Sequence, residues 1–535
     1  MNARTPVLQI KTSLRRTWQG FFGRFGRLLP IQIAAIPPIL ARRNVIISAP
    51  TAAGKTEAVV APLAERLLAD GAPSVGILYI APTRALVNDV ERRLAGPCAT
   101  ADLSVAVRTG DRRELRLKSQ PHVLITTPES TDSMLCRIPQ VFRDTRAIVL
   151  DEVHQLDGNY RGDQMRVLLR RLERISGRQQ HIIALSATLP DAQEVAARYM
   201  TDPEVCQAGL PRGIELQLTG TVEEAVALLR QRKRHKALLF CNRRKDVEEL
   251  AQQLVTERQW PAEALFVHHG SLPRELREKT ETAMRLRSWG LCIATMTLEL
   301  GIDIGDVNAV ILYGLPPTPS AFQQRIGRAC RTERTIFVIG VPRNENEAAL
   351  FRIFEGMAVV GRVEDQLYRP DVSVIVQQVC SLLFANPGGC QRQDLANIVQ
   401  PLTCEAPFDA LNAILDQMEE DGWIERPYGW IKATTKLMNL GERGKIHSNI
   451  PDAGEFHVVD STSGQIITHA HLQVAPGSRI ALAGRTWEVV RITGQKAFVK
   501  PAAGVAEARF LQRAPHGAFW GYLPPDLMQW VEENA

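Results

Sequence analysis

The stretch VIISAPTAAGKTEAVVAPLAERLL, residues 45–68, decides how the first half of the chain is read. VIIS is a short continuous apolar run, the pattern of a strand buried on both faces. TEAVVAPLAERLL (56–68) carries apolar residues at helical spacing. The loop between them ends in Gly54-Lys55-Thr56, the chemically necessary half of a phosphate loop. Glycine lets the backbone approach a phosphate, the lysine reaches the β- and γ-phosphates, and the Thr56 hydroxyl binds Mg²⁺. Ala49 stands where the usual pattern G-x-x-x-x-G-K-[ST] opens on glycine, which demands a different loop shape.

Further runs follow the same design. VGILYIAPT (75–83), VLITTP (123–128), AIVLDEV (147–153) and IIALSAT (182–188) each look like a buried strand ending in small or polar residues. Such strands alternating with helices predict a parallel sheet covered on both faces, with its chemistry at the carboxyl ends of the strands. A second series comprises ALLFCN (237–242), ALFVHHG (264–270), LCIATM (291–296), AVILYG (309–314) and TIFVIGVP (335–342). Two α/β domains joined near 202–222 account for both.

Beyond about residue 365 the pattern changes. Val372, Ile375, Val376, Val379, Leu382 and Leu383 recur at helical spacing, NPGG (386–389) marks a turn, and a short helix and a third one (Phe408–Glu420) follow. GWIERPYGWIKAT (422–434) reads as two short strands around Pro427-Tyr428-Gly429, which completes a winged helix. Short strands dominate from 446 onward, as in RIALAGRTWEVVRITGQKAFVKP (479–501). The expected domains are therefore 1–205, 206–362, 363–445 and 446–535.

Composition agrees. A chain of 535 residues predicts roughly three to five domains of about 100–200 residues. With 45% hydrophobic and 23% charged residues, wholesale disorder is excluded. The net charge of +6 is compatible with nucleic acid. The nine cysteines are scattered singly with no C-x-x-C pair, which reads as reduced, buried thiols and offers no zinc or iron–sulfur ligand set. Basic residues near the start (Arg4, Lys11, Arg15, Arg16) lack the apolar core of a secretory signal. No apolar run approaches the roughly 20 residues that span a bilayer. A cytoplasmic protein with no membrane partner is expected.

AIVLDEVHQL puts Asp151 and Glu152 at a strand end. One carboxylate there holds Mg²⁺ and its neighbour orients an attacking water. Two acids after a strand are often only solvated surface. This pair follows the phosphate loop inside the same expected sheet, which favours the chemical reading.

At this point the sequence resembles the DExH helicases of superfamily two, whose phosphate loop often begins with alanine. The motifs stand in family order. Gln32 in LLPIQIAAIP matches the adenine-reading glutamine. APTAAGKT (49–56) matches motif I, APTRALVND (81–89) Ia and TTPES (126–130) Ib. DEVH (151–154) matches motif II and SAT (186–188) III. FCNRRKDVEEL (240–250) matches IV, ATMTLELGIDIG (294–305) V and QRIGRACR (324–331) VI. HHGSLPRELRE (268–278), TLELGIDIGDV (297–307) and GAFWGY (517–522) make the chain look like the Lhr-type (large helicase-related) members. Lhr proteins continue with another large winged-helix-containing region, whereas this chain stops at 535, so activities resting on that region are not expected.

The resemblance implies an α/β fold of two RecA-like parallel-sheet domains followed by a winged helix and a small β domain, with ATP and Mg²⁺ as cofactors. Lys55, Thr56, Asp151 and Glu152 would form the ATPase core, with Thr56 and Asp151 on the metal. Gln32, Thr51, Ala52, Ala53, Gly54 and Glu57 would surround the nucleotide, and Gly301 and Asp303 would lie near the ribose and the attacking water. Arg328 and Arg331 would be arginine fingers. They stand three apart in a predicted helix and so share a face, supplying charge to the transition state from the second domain. His154, Ser186, Thr188, Gln324 and Arg325 would couple hydrolysis to domain closure. Gln324 stands where many relatives carry histidine.

Nucleic-acid contacts should fall mostly on phosphates, with Thr83, Arg84, Thr127, Arg243 and Thr295 as candidates. Trp520 resembles a tryptophan that stacks on a base, with Phe519 as its rival. Trp423, Trp430 and Trp487 are expected in cores, and RKRHK (232–236) at a solvated helix end. The expected activity is ATP-dependent translocation 3′ to 5′ on single-stranded DNA, unwinding tailed DNA or RNA–DNA duplexes, in repair or defence. Two other readings stay open. An RNA helicase or remodeller differs only in contacts to the 2′-OH. A nucleic-acid-binding regulator switched by ATP would not travel, and the intact DEVH and both fingers argue against it.

Overall fold

A computed structural model describes residues 4–49, 53–112, 119–186, 191–207, 213–299, 304–330, 335–360, 370–403, 409–450, 455–461, 466–471, 479–482, 485–493, 496–502 and 516–534. The chain divides into two compact units. One comprises 1–158, 162–368 and 384–386, the other 159–161, 369–383 and 387–535.

The first unit holds two parallel sheets. The strands of the first are β1 (Val45–Ser48), β2 (Ile77–Ile80), β3 (Val105–Arg108), β4 (Val123–Thr126), β5 (Ala147–Leu150), β6 (His181–Ser186) and β7 (Glu204–Gln207). They lie in the order β3-β4-β2-β5-β6-β1-β7, every pair parallel. The second sheet uses β8 (Gly213–Leu218), β9 (Lys236–Cys241), β10 (Leu265–His268), β11 (Gly290–Ala294), β12 (Ala309–Tyr313) and β13 (Thr335–Val341), ordered β10-β11-β9-β12-β13-β8 and again all parallel. The central strands β1, β2, β4, β5, β9 and β11 are buried along their whole length. Burial on both faces is what their unbroken apolar sequences require.

Three strands escape the sequence pattern: β3, β7 and β8. β7 and β8 occupy sheet edges and β3 the remaining edge of the first sheet, and all three are half exposed. The stretch expected to join the domains, 202–222, thus contains the last strand of one sheet and the first of the other. β7 runs to Gln207, past the expected boundary at 205.

The second unit begins with the helices Ser373–Ala385, Arg392–Thr403 and Ala410–Glu420. A three-stranded antiparallel sheet accompanies them, with Trp430–Ala433 between Cys390–Gln391 and Ile424–Glu425. Phe408, the expected start of the third helix, lies outside the described residues. Trp430 is not in the core: it is 43% exposed, while its neighbour Ile431 is buried. Successive strand residues point to opposite faces, so only one of the two can be inside. Trp423 is half-buried, edge-on to Tyr522 at 5.5 Å.

A five-stranded sheet follows, in the order Ile466–His471, Glu455–Asp460, Lys496–Pro501, Arg485–Thr493, Arg479–Leu482. Trp487 is buried in it with Val489 and Val499, as expected. A final helix, Pro525–Asn534, has no counterpart in the sequence reading. No helix among the described residues is long and apolar enough to cross a membrane. The eight described cysteines are free thiols, six of them buried.

Candidate active site

Gly54 caps the helix Lys55–Ala69 at φ +79°, a left-handed conformation that glycine adopts without strain. A side chain there would also run into the Gln32 amide. Gln32 is buried and fixed at both ends: Leu29 N donates to its Oε1 at 2.8 Å, and its Nε2 donates to the Gly54 carbonyl at 3.3 Å. The adenine-reading candidate therefore touches the phosphate loop directly. Ala49 is buried where a glycine was missing. Its N–H donates to the Ser186 carbonyl at 3.3 Å, and its own carbonyl accepts from Lys55 Nζ at 2.7 Å. Lys55 also donates to the Ser186 carbonyl at 2.7 Å. Burial lowers the pKa of this ammonium, opposed by Glu152 and Asp151. Ala53 and Glu57 are half-buried beside the loop, and Glu57 accepts two bonds from Arg93 Nη2, at 3.0 and 3.2 Å. Thr51 and Ala52 lie outside the described residues.

Asp151 follows β5 directly and is buried. Tyr79 Oη donates to its Oδ2 at 2.7 Å, and Glu152 N donates to its Oδ1 at 2.9 Å. Burial, then the adjacent Glu152 charge, push its carboxyl up to about 7. Glu152 goes the other way. Burial would raise it, but Lys55, His154, Arg328 and Arg93 together hold it below the ordinary value. It remains the anion while its neighbour bears the strain of the pair. Glu152 Oε2 is buried and accepts no hydrogen bond among the described residues. Thr56 and Asp151 offer hard oxygen donors beside this orphaned carboxylate oxygen, a set that suits Mg²⁺.

His154 Nδ1 lies 3.1 Å from Ser186 Oγ and 3.5 Å from Glu152 Oε2. Burial lowers its pKa, so the neutral ring is favoured. Motif II and motif III thus meet through a half-buried histidine and a buried serine. Thr188 is outside the described residues.

Motif VI is built differently from its sequence expectation. The helix Pro319–Ile326 stops before Arg328, with Gly327 as its cap. The chain then makes a tight turn, Arg328 N donating to the Arg325 carbonyl at 3.2 Å, and Cys330 adopts φ +52°. Arg328 therefore sits beyond the helix, not on a helical face shared with Arg331, which lies outside the described residues. Its buried guanidinium donates to the Glu299 carbonyl, and its charge acts on Lys55, Glu152 and His154 of the first sheet. Arg325 is a strut. Its Nε donates to the buried Glu299 Oε1 at 2.6 Å and its Nη1 to Oδ1 of the exposed Asn242 at 2.8 Å, which joins motifs IV, V and VI. Gln324 is half-buried, with Nε2 3.4 Å from Ser320 Oγ. Gly301 and Asp303 are outside the described residues.

The candidate nucleic-acid residues all follow strand ends. Thr83 comes after β2 and Thr127 after β4; each caps its helix, accepting from Leu86 N and Ser130 N at 3.3 Å. Arg84 is exposed and paired with Asp111. Arg243 follows β9, is 67% exposed and bonds Asp246, and half-buried Thr295 follows β11. In the first sheet these positions occupy the β4-β2 half of the carboxyl edge, and Asp151, Ser186 and the phosphate loop the β5-β6-β1 half. In the second unit Trp520 is half-buried and stacked on His516, ring centres 3.5 Å apart, while Phe519 is buried in the core. Sequence reasoning missed Tyr79, Arg93, Asn242 and Glu299. Each looked like ordinary strand or helix filler, and no local signal marks its partner.

With this geometry in place, comparison with known proteins is informative. The DEAD/DEAH box helicase family matches residues 29–195, and the helicase conserved C-terminal domain matches 220–333. An ATP-dependent helicase Lhr-Core of Methanothermobacter thermautotrophicus is 32% identical over 92% of this chain. The chain belongs to the DEAD/DEAH box helicases and is similar to the Lhr type over nearly its whole length. An Lhr-Core helicase of Saccharolobus solfataricus is 27% identical over 90% of the chain. The chain spans 62% and 64% of the lengths of these two Lhr-type relatives. The solved structure of Mycobacterium smegmatis helicase Lhr bound to ssDNA and AMP-PNP superposes with a TM-score of 0.71 at 25% identity, covering 82% of this chain and 63% of that one.

Proposed function

We propose that this protein is an ATP- and Mg²⁺-dependent motor that translocates on single-stranded DNA and unwinds tailed duplexes. The observation that carries this reading is Arg328, a cation of the second sheet domain whose charge acts on Lys55 and Glu152 of the first. Nucleotide bound at that junction would tie the two sheets together, and its hydrolysis would release them.

The chain's own groups divide the work. Lys55 exchanges the carbonyls of Ala49 and Ser186 for phosphate oxygens, which loosens the join between motifs I and III. Glu152, kept ionised, orients the attacking water. His154 and Ser186 relay the state of that carboxylate to motif III. Arg328, with Arg331 as its partner by resemblance, stabilises charge as it develops on the transferred phosphoryl group. Thr56 and Asp151 would hold Mg²⁺, which neutralises phosphate charge when bound. Gln32 reads the base while touching the loop, and Gly301 and Asp303 would serve the ribose and the water by resemblance alone. Thr83, Arg84, Thr127, Arg243 and Thr295 grip phosphates along the strand-end edge, and Trp520 stacks on a base.

DNA as the track is supported by the Lhr relative solved with ssDNA and AMP-PNP. The direction, 3′ to 5′, and a role in repair or defence rest on resemblance to the Lhr type alone. ATP hydrolysis should be measured without nucleic acid, with single-stranded DNA, and with RNA of the same sequence, using Glu152→Gln as control. Stimulation by DNA that Glu152→Gln abolishes, with displacement of strands from 3′-tailed but not 5′-tailed duplexes, is the expected result. Stimulation mainly by RNA would move the reading to RNA remodelling, and none by either would sink it.

A further inference from the structure

Tyr79 is the one polar residue in the apolar strand ILYI, and its ring is fully buried. A buried phenol must find partners for its hydroxyl. It finds one at the centre of the site. β2 and β5 pair in parallel with Tyr79 opposite Val149, so Asp151, two residues on, shares the same face of the sheet. The phenol reaches one step up and donates to Asp151 Oδ2 at 2.7 Å.

This arrangement has a directional consequence. A carboxylate oxygen that accepts one bond keeps a lone pair to spare. Glu152 N–H fixes the other oxygen, Oδ1, at 2.9 Å. One phenol, locked by packing, thus orients the carboxylate read as a ligand of Mg²⁺. We propose that Tyr79 is a positioning residue for the metal site, a role that rests on reading Asp151 as a metal ligand. Partners that orient metal ligands in this way typically change metal affinity 10–100-fold when lost.

The test is equilibrium binding of a fluorescent ADP analogue to the whole chain, in Mg²⁺ and in EDTA, for wild type, Tyr79→Phe, Asp151→Asn and the double variant. The ratio of the two affinities measures what the metal contributes. Tyr79→Phe should lower that ratio about tenfold or more, leave the EDTA affinity within about twofold, and have no further effect in the Asp151→Asn background. An unchanged ratio would overturn the role. So would equal losses in Mg²⁺ and EDTA, the mark of a packing residue, or an effect that persists in the Asp151→Asn background. A wild-type protein that binds equally with and without Mg²⁺ would instead overturn the metal reading itself.

Discussion

Replacing Asp151 with asparagine should make the nucleotide-free protein more stable at neutral pH while removing its response to Mg²⁺. Asp151 is 5% exposed, and burial together with Glu152 raises its carboxyl from 3.8 to about 7. Below pH 3.8 both folded and unfolded chains hold the proton, and the group costs nothing. Between about 4 and 7 the unfolded chain has lost a proton that the folded one keeps, so stability falls as pH rises. Above about 7 the full penalty stands. A displacement of roughly three pH units at about 1.4 kcal/mol each sets a ceiling near 4 kcal/mol. Asparagine avoids that penalty but can accept from only one of Tyr79 and Glu152 N, which costs about 1–3 kcal/mol. The net gain at pH 8 is about 2 kcal/mol, or roughly 4–8 °C in thermal midpoint for a domain of this size. At pH 5 the penalty in wild type is only about 2 kcal/mol, so the advantage should vanish. Differential scanning fluorimetry of both proteins at pH 5 and 8, with and without Mg²⁺ and nucleotide, reads all of this. A midpoint for Asp151→Asn at pH 8 equal to or below wild type would refute the reasoning.

Other outcomes follow from the same geometry. Glu299→Gln strips the buried Arg325 of its charged partner and should destabilise by about 3 kcal/mol, whereas Glu249→Gln, at the exposed Lys245–Glu249 pair, should change stability by less than about 0.5 kcal/mol; thermal midpoints compare them. Arg328→Ala should lower kcat about 10³-fold with nucleotide affinity changed far less, separable by steady-state kinetics and direct binding. Trp520→Ala should weaken single-stranded DNA binding by about 1–3 kcal/mol in fluorescence anisotropy. Phe519→Ala, emptying a core position, should instead cost about 3–5 kcal/mol of stability.

Much of the site was legible because its residue types have few other uses at those places. A Gly-Lys-Thr between strand and helix, and a pair of acids ending the next buried strand but two, are local patterns with direct chemical meaning. The buried strands were legible for a related reason: a strand covered on both faces must be apolar throughout. Edge strands obey a weaker rule. β3, β7 and β8 each bury only one residue fully, so their sequences look like linkers. The end of the motif VI helix was also hidden, since Gly327 is compatible with helix or turn until Arg328 is held by the Glu299 carbonyl.

By itself, then, the sequence determined the α/β class and the two strand series and singled out the residues proposed to touch ATP, because each rests on neighbours along the chain. Only the tertiary structure decided that Lys55 is tied to Ala49 and Ser186, that Tyr79 meets Asp151 across two strands, and that Glu299 joins Arg325 and Arg328. Hydrogen bonds and buried charges depend on distance in space. Residues 6 to 131 positions apart share them here, and no spacing along the chain announces such a meeting.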